Sequence, residues 1–405
     1  MKLNRIVILF FLFFVKSFSY AQVHSQLWGR KGEKWDKTKI PDFTKAGYKS
    51  GNAGIPNFPT GVNVCDFGAV GDGVSDNTNA FRKAIASCGR NKAVFIPAGV
   101  YLLKDTIQFS KSNICLRGDK THPPTIYFEK GLEQLYPHYN QEWPKQSDWS
   151  WEGGMIRFEG NIENVGIQNC NIKFPDSAWA GHNFHERGYN GIAFGRNVHN
   201  AWMRSVRLTN TDIGVWVERS AHHITIENLV LDFGANRNAQ KLQGHHGITI
   251  YGGYNLIQNF QIKGKYSHDL SVESSLSVFN VFRNGKATDL CIDHHNHDQR
   301  NNLFTNLDAG IGSRLYLSGG NEGPWGLSVN ETYWNITAQR NMPYCNVHDD
   351  ASKQSVNNVA VGIKTNLPSS LNDVHNNWFE TISPTDLYPK DLYLEQRKRL
   401  KLKRY

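Results

Sequence analysis

Three short segments between Ile248 and Asp293 concentrate groups able to move protons: GITIYGG, HDLSVES and TDLCIDHHNHD. Acids recur in the second (Asp269, Glu273) and third (Asp289, Asp293), and His246, His268, His294, His295 and His297 fall on or beside the same segments. Two carboxyls can work as an acid and a base if their surroundings keep one protonated and the other ionised. Imidazole titrates near neutrality and is a natural base. Like-charged carboxylates side by side also favour a cation between them. Whether any of this happens depends on whether the segments stack.

The spacing predicts that they do. Leu270 follows Ile248 by 22 positions and Leu290 follows Leu270 by 20, about one turn of a coiled parallel sheet. Strand alternation points Leu270 and Val272 inward and Asp269, Ser271 and Glu273 outward. Carried to neighbouring coils, the same phase gives one column of Asp212, Gly247, Asp269, Asp289 and Arg314. A second holds Trp216, Tyr251, Glu273, Asp293, Ser318 and His348. With adjacent coils about 4.8 Å apart, Glu273 is expected beside Asp293, and Asp269 beside Asp289. The catalytic candidates are therefore Glu273, Asp293, Asp269, His294, His268 and Arg314. Trp216, Tyr251, His246, Tyr316 and His348 are the candidate substrate contacts, and Asp269 with Asp289 a candidate calcium site.

The elements that would position these columns are legible elsewhere. Asparagine precedes short apolar strands at Asn169, Asn228, Asn259, Asn280, Asn306 and Asn335, with Ser205 filling the long gap. Successive gaps of 36, 23, 31, 21, 26 and 29 are one coil with loops inserted in some turns. Stacked side-chain amides can hydrogen-bond along the axis as in cross-β ladders, so this ladder is read as structural. Upstream, the run from Val62 to Cys88 alternates as a strand, turns through GAVGDG, and enters a helix that Asp76 or Ser75 can cap. Its apolar stripe is Ala80, Phe81, Ala84, Ile85 and Cys88.

That run, DFGAVGDGVSDNTNAFRKAIASC followed by AVFIPAGVYLL, resembles the entry segment of the pectate-lyase superfamily, the single-stranded right-handed parallel β-helices of polysaccharide lyases, glycoside hydrolases and phage tailspikes. The resemblance implies an all-β solenoid with a capping helix over the first coil, and it implies no particular activity. GHHG at 244–247 is only loosely similar to the GHG of polygalacturonases; their other acid motifs, and the calcium and arginine motif of pectate lyase, have no match. The substrate does not carry over. DHHNHDQRNNLFTNLDAGIGSRLYLSGG also resembles a segment of uncharacterised exported bacterial β-helix proteins.

Two insertions, 129–154 and 175–189, bring Tyr136, Tyr139, Trp143, Trp149 and Trp151, then Trp179, His182, His185 and Tyr189; such faces suit sugar rings or pack the loops down. Residues 1–21 read as a signal peptide (Lys2, Arg5, an apolar Ile6 to Val15, small residues at Ser19 and Ala21), 22–60 as an arm, 61–385 as the β-helix and 386–405 as a basic helical tail. Nothing else is apolar enough to span a membrane. Six cysteines permit disulfides whose pairing sequence cannot assign, and no zinc spacing occurs among them. The net charge of +9 includes six basic residues among the last ten, so the body is mildly basic, which favours an anionic partner. Nucleic acid is not expected, for want of a basic, aromatic-studded motif. The expectation is a secreted or periplasmic monomer that cleaves an acidic, uronate-containing or sulfated polysaccharide. β-Elimination is preferred over inverting hydrolysis, which needs carboxyls roughly 6.5–9.5 Å apart. A non-catalytic carbohydrate-binding or tailspike-like protein is the third reading.

Overall fold

The computed structural model of the chain describes residues 22–139, 146–179, 181–295, 299–316, 328–342, 356–365 and 376–402. The expected signal peptide, Trp143, His297, Ser318, His348 and Cys345 lie outside them. The described chain is a right-handed parallel β-helix, as the resemblance implied. One face is a seven-stranded parallel sheet in the order Ile107–Phe109, Ile156–Phe158, Asn190–Phe194, Ile213–Val217, Gly244–Ile250, Tyr266–Val272 and Ile292–His294. The other faces stack coil on coil in parallel register, from Lys92–Ile96 and Ile114–Gly118 through Glu163–Lys173, His199–Thr209 and Thr225–Asp232 to Leu303–Asp308, Thr332–Thr337 and Val359–Ile363.

The asparagines make the corners. Asn169, Ser205, Asn228, Asn259, Asn306 and Asn335 all adopt left-handed backbone, φ between 53° and 58°. Asn pays least for this conformation among residues with a side chain. Asn169 bends Glu163–Lys173 in mid-strand, so that its first half pairs with Ile114–Gly118 and its second with Thr125–Phe128. Side-chain amides link Asn335 to Asn306, Asn306 to Asn284 and Asn284 to Asn259. Asn280 is the exception: Asn284 takes the corner in its coil, and Asn280 belongs to a second, buried ladder. There Asn255 donates from backbone and side chain to Asn280 Oδ1, and Asn280 does the same to Asn302 Oδ1. The next rung is Glu331, whose two oxygens accept from Asn302; Glu331 N donates to Asn358, and Asn358 N to Asn377.

Thr78–Ser87 packs Ala80, Phe81, Ala84 and Ile85 over the first coil, with Asp76 Oδ1 accepting from Thr78 N. The expected helix after Pro389 runs from Leu392 to Leu402. It lies along the flank with the arm, where Leu392 and Tyr393 join Trp28, Ile40, Phe43, Val281, Leu303 and Trp334 in a second apolar cluster. Gln396 clamps Phe43 N and Pro41 O, and Arg397 donates to Thr44 O. Among the described residues, Cys65, Cys88, Cys115 and Cys170 are free thiols. No described helix is long and apolar enough to cross a membrane.

Candidate active site

The stacking register decides which candidates meet. Ile248 lies opposite Leu270 as expected, but Leu270 lies opposite Ile292 rather than Leu290. On the other side, Trp216 lies opposite Thr249, not Tyr251. A slip of two residues leaves side chains on their expected faces and changes their partners. Asp293 therefore faces Ser271 across the coil gap, and His294 faces Val272 in the interior. There His294 lies against Phe304 and Tyr333, with the Tyr333 hydroxyl 3.3 Å from its Nε2. Burial holds its pKa down at about 4. His294 is thus a core residue and no base for a bound sugar. Tyr316 is likewise corrected from sugar contact to core, its ring packed edge-on against Tyr333.

Asp269 and Arg314 also leave the list. Strict alternation fails at His268 and Asp269: Asp269 turns back to accept from Tyr266 N and Cys291 N, and takes Arg314 Nη2 at 2.6 Å. Arg314 spends its other donors on the carbonyls of Asp289, Tyr266 and Ser267. Burial raises the Asp269 pKa to about 6 against the pull of this cation. Asp289 is occupied by Ser313 N and Oγ. The pair does not fit a calcium ion, because each carboxylate already has protein donors and a guanidinium lies where the ion would be needed. These residues pin one coil to the next.

What the fold does assemble is a buried histidine–carboxylate cluster under the 175–189 loop. Glu273 accepts Tyr251 Oη at 2.7 Å, and its other oxygen lies 3.3 Å from His246 Nδ1, which also meets Ser271 Oγ at 3.3 Å. Asp293 meets His295 Nδ1 at 2.6 Å and His268 Nδ1 at 3.3 Å. Glu186, bonded to Ser150, places Oε1 3.0 Å from His245 Nδ1. His182 stands edge-on over His245, ring centres 4.1 Å apart. Burial raises the Glu273 pKa, and burial together with the Glu273 charge raises that of Tyr251 well above 10. His246 is driven well below 6.5 by burial and by the imidazoles around it. For His295, burial opposes the charge, but Asp293 and Glu273 outweigh it and push the pKa to about 10. Potential ligand atoms of Glu273, Asp293 and His295 all fall within 4.8 Å of one another.

Tyr251 connects this cluster to the surface. It lines a cleft of about 420 Å³ with Trp149, Trp151, Trp216, Glu218 and the arginines Arg157, Arg196 and Arg219. Trp216 and Tyr251 meet edge to face with ring centres 6.2 Å apart, and Arg219 lies over the Tyr251 ring. A larger cleft of about 700 Å³, bordered by Lys263, Lys286, Thr288 and Asp308, lies away from the histidines. Of the sequence candidates, Glu273, Asp293, His268, His246, Tyr251 and Trp216 come together. Glu186, His245 and the three cleft arginines were not singled out. GHHG was the available signal for His245; Arg157 is the middle residue of the strand Ile156–Phe158, whereas Glu186, Arg196 and Arg219 sit on connections whose path the strand pattern does not specify.

Residues 61–259 match the family model described as Rhamnogalacturonase A/epimerase, pectate lyase-like. The chain is 23% identical over 247 residues to Probable rhamnogalacturonase E of Aspergillus niger, covering 53% of this chain and 50% of that protein. It is 31% identical over 135 residues to Plasmin and fibronectin-binding protein A of Streptococcus pneumoniae, covering 30% and 18%. Among solved structures, endo-xylogalacturonan hydrolase from Aspergillus tubingensis superposes with a TM-score of 0.52 at 16% identity, over 73% of this chain and 82% of that one; this likeness shows the fold. The chain spans half or less of the curated relatives it matches.

Proposed function

We propose that this chain, which belongs to the pectate-lyase-like superfamily of right-handed parallel β-helices, is an enzyme that cleaves a uronate-containing polysaccharide by β-elimination, with Tyr251 carrying the proton. The observation behind the reading is the 2.7 Å bond from Tyr251 Oη to Glu273, made where the phenol borders a cleft of tryptophans and arginines. Tryptophan faces suit sugar rings. The guanidinium groups of Arg157, Arg196 and Arg219 suit a carboxylate, whose neutralisation makes the adjacent C5 proton removable.

Tyr251 passes its proton to Glu273, and the resulting phenolate removes the C5 proton. The C5–H electron pair becomes the C4–C5 double bond as the C4–O bond breaks, and the new phenol protonates the departing oxygen. Glu273 then returns the held proton to Tyr251. Nothing is consumed but the sugar linkage. Burial raises the Glu273 pKa and makes it the better proton acceptor; burial and the Glu273 charge raise that of the phenol as well, and Arg219 over the ring is the cation that favours the phenolate. The inverting alternative is disfavoured because Glu273 and Asp293 place oxygens within 4.8 Å of each other, too close to hold the attacking water of an inverting pair.

A screen of uronate polysaccharides, read by the ultraviolet absorbance of the unsaturated product and in parallel by saturated reducing ends, tests this. Tyr251→Phe is expected to lower kcat by about 10²–10⁴-fold with the fold intact by circular dichroism. Saturated products, or full activity in Tyr251→Phe, would exclude the proposed chemistry; binding without any product would favour a non-catalytic role.

A further inference from the structure

His245 is fully buried, yet neither of its ring nitrogens has a hydrogen-bond partner of acceptable geometry. Its Nδ1 lies 3.0 Å from Glu186 Oε1, an oxygen also without such a partner; His268 Nδ1, likewise unpartnered, lies 3.3 Å from Asp293 Oδ2, which is bonded to His295 Nδ1. A buried polar atom left unsatisfied is costly, so a cluster of them calls for an explanation. Potential ligand atoms of His182, His245 and His268 all lie within 4.8 Å of one another. The three residues come from the 175–189 loop and from two adjacent strands, Gly244–Ile250 and Tyr266–Val272, so the fold itself brings them together.

We infer that His182, His245 and His268 bind a divalent transition-metal ion such as zinc, with Glu186 and Asp293 as the carboxylates that orient two of the rings. In this arrangement each carboxylate takes the Nδ1 side of its histidine, and Nε2 is left for the metal, the usual carboxylate–histidine–metal pattern. Three imidazoles are a borderline-soft donor set that suits zinc and its neighbours and suits calcium poorly. Three protein ligands also leave a coordination position open. Trp151, which lines the aromatic cleft, has its ring centre 5.7 Å from that of His245, so the histidine cluster neighbours the sugar-sized groove. The inference is independent of which sugar bond is broken, since it concerns an equilibrium that is measured without any polysaccharide.

The experiment uses the full chain without an affinity tag, stripped with a chelator and titrated calorimetrically with zinc chloride, and in a separate series with calcium chloride. Cobalt(II) is added to a further sample to read the ligand field. The expected result is one equivalent of zinc, no comparable calcium binding, and a cobalt spectrum of a nitrogen-ligated low-coordinate site. His182→Ala, on an exposed loop and so without consequence for the core, should abolish the stoichiometric site. Glu186→Gln should weaken it by about 10–100-fold. His222→Ala, in the separate histidine group formed with His199 and His223, should leave it unchanged. Absence of stoichiometric zinc binding, retention in His182→Ala, loss in His222→Ala, or equal affinity for calcium would each overturn the inference.

Discussion

Glu331 stands in a row of asparagines, with its carboxylate buried and both oxygens accepting from Asn302. Burial pushes its pKa from 4.5 up to about 8, against the lowering effect of those two donors. In the unfolded chain the proton leaves near 4.5, and in the folded chain it is held until about pH 8. Between these values the native state binds more protons than the unfolded one, so stability falls as pH rises. The contribution is full below pH 4.5 and gone above pH 8. At 1.36 kcal/mol per pKa unit, the loss across that window is about 5 kcal/mol. Glu331→Gln keeps the length and one acceptor oxygen but cannot ionise. Its cost should be about 1 kcal/mol at pH 4.5, for one imperfect hydrogen bond, and the substitution should turn stabilising near pH 5.5 and be ahead by about 3 kcal/mol at pH 9. The assay is reversible urea unfolding followed by far-ultraviolet circular dichroism at intervals from pH 4.5 to 9, comparing the two proteins at each pH so that other titrating groups cancel. A difference between them that stays constant within about 1 kcal/mol over this range would refute the reasoning and mean that the ladder accommodates a carboxylate as readily as an amide.

Three further outcomes follow from the same geometry. Arg314→Met should destabilise the fold by about 3–5 kcal/mol by leaving Asp269 buried without its cation, while kcat of the folded fraction stays near wild type; a selective loss of kcat with unchanged melting would restore Arg314 to the chemistry. Asn280→Ala should cost about 2–4 kcal/mol in denaturant unfolding, since Asn255 N and Gly252 O both lose a buried partner. Trp216→Ala should raise KM for the polysaccharide roughly five-fold, for a stacking contribution of about 1 kcal/mol, with kcat little altered; steady-state kinetics against chain length would detect it.

The corners of this fold were readable because left-handed backbone restricts residue choice, which is why the asparagine spacing traced the coils. The inward phase of Leu270 and Val272 was equally plain, as both are in the core. Register was harder to read. Leu290 and Ile292 are both apolar and buried, so spacing of 20 and 22 satisfy the pattern alike, and only backbone pairing separates them. The reversal of His268 and Asp269 depends on Arg314 reaching across 45 positions, a contact no local pattern encodes. Glu186 illustrates the remaining limit: its position comes from a loop folded back over the sheet, held by Ser150 and His245.

The clasp on the flank bears on how the molecule unfolds. Stacked coils touch only their neighbours, so a bare solenoid can fray from either end one coil at a time. Here Val23–His24 pairs with Leu387–Tyr388, and Glu380 receives Ser25 Oγ and the backbone of Gln26. The same arm then runs along the stack, as far as Tyr48 bonded to Thr225 and Asn164. Opening the late coils therefore requires peeling the arm from the middle ones. The arm turns a row of nearest-neighbour contacts into a closed circuit, and it couples coils more than a hundred residues apart into one cooperative transition. Its own docking contacts fall on residues near 380–397, so the two ends of the described chain depend on each other for their burial.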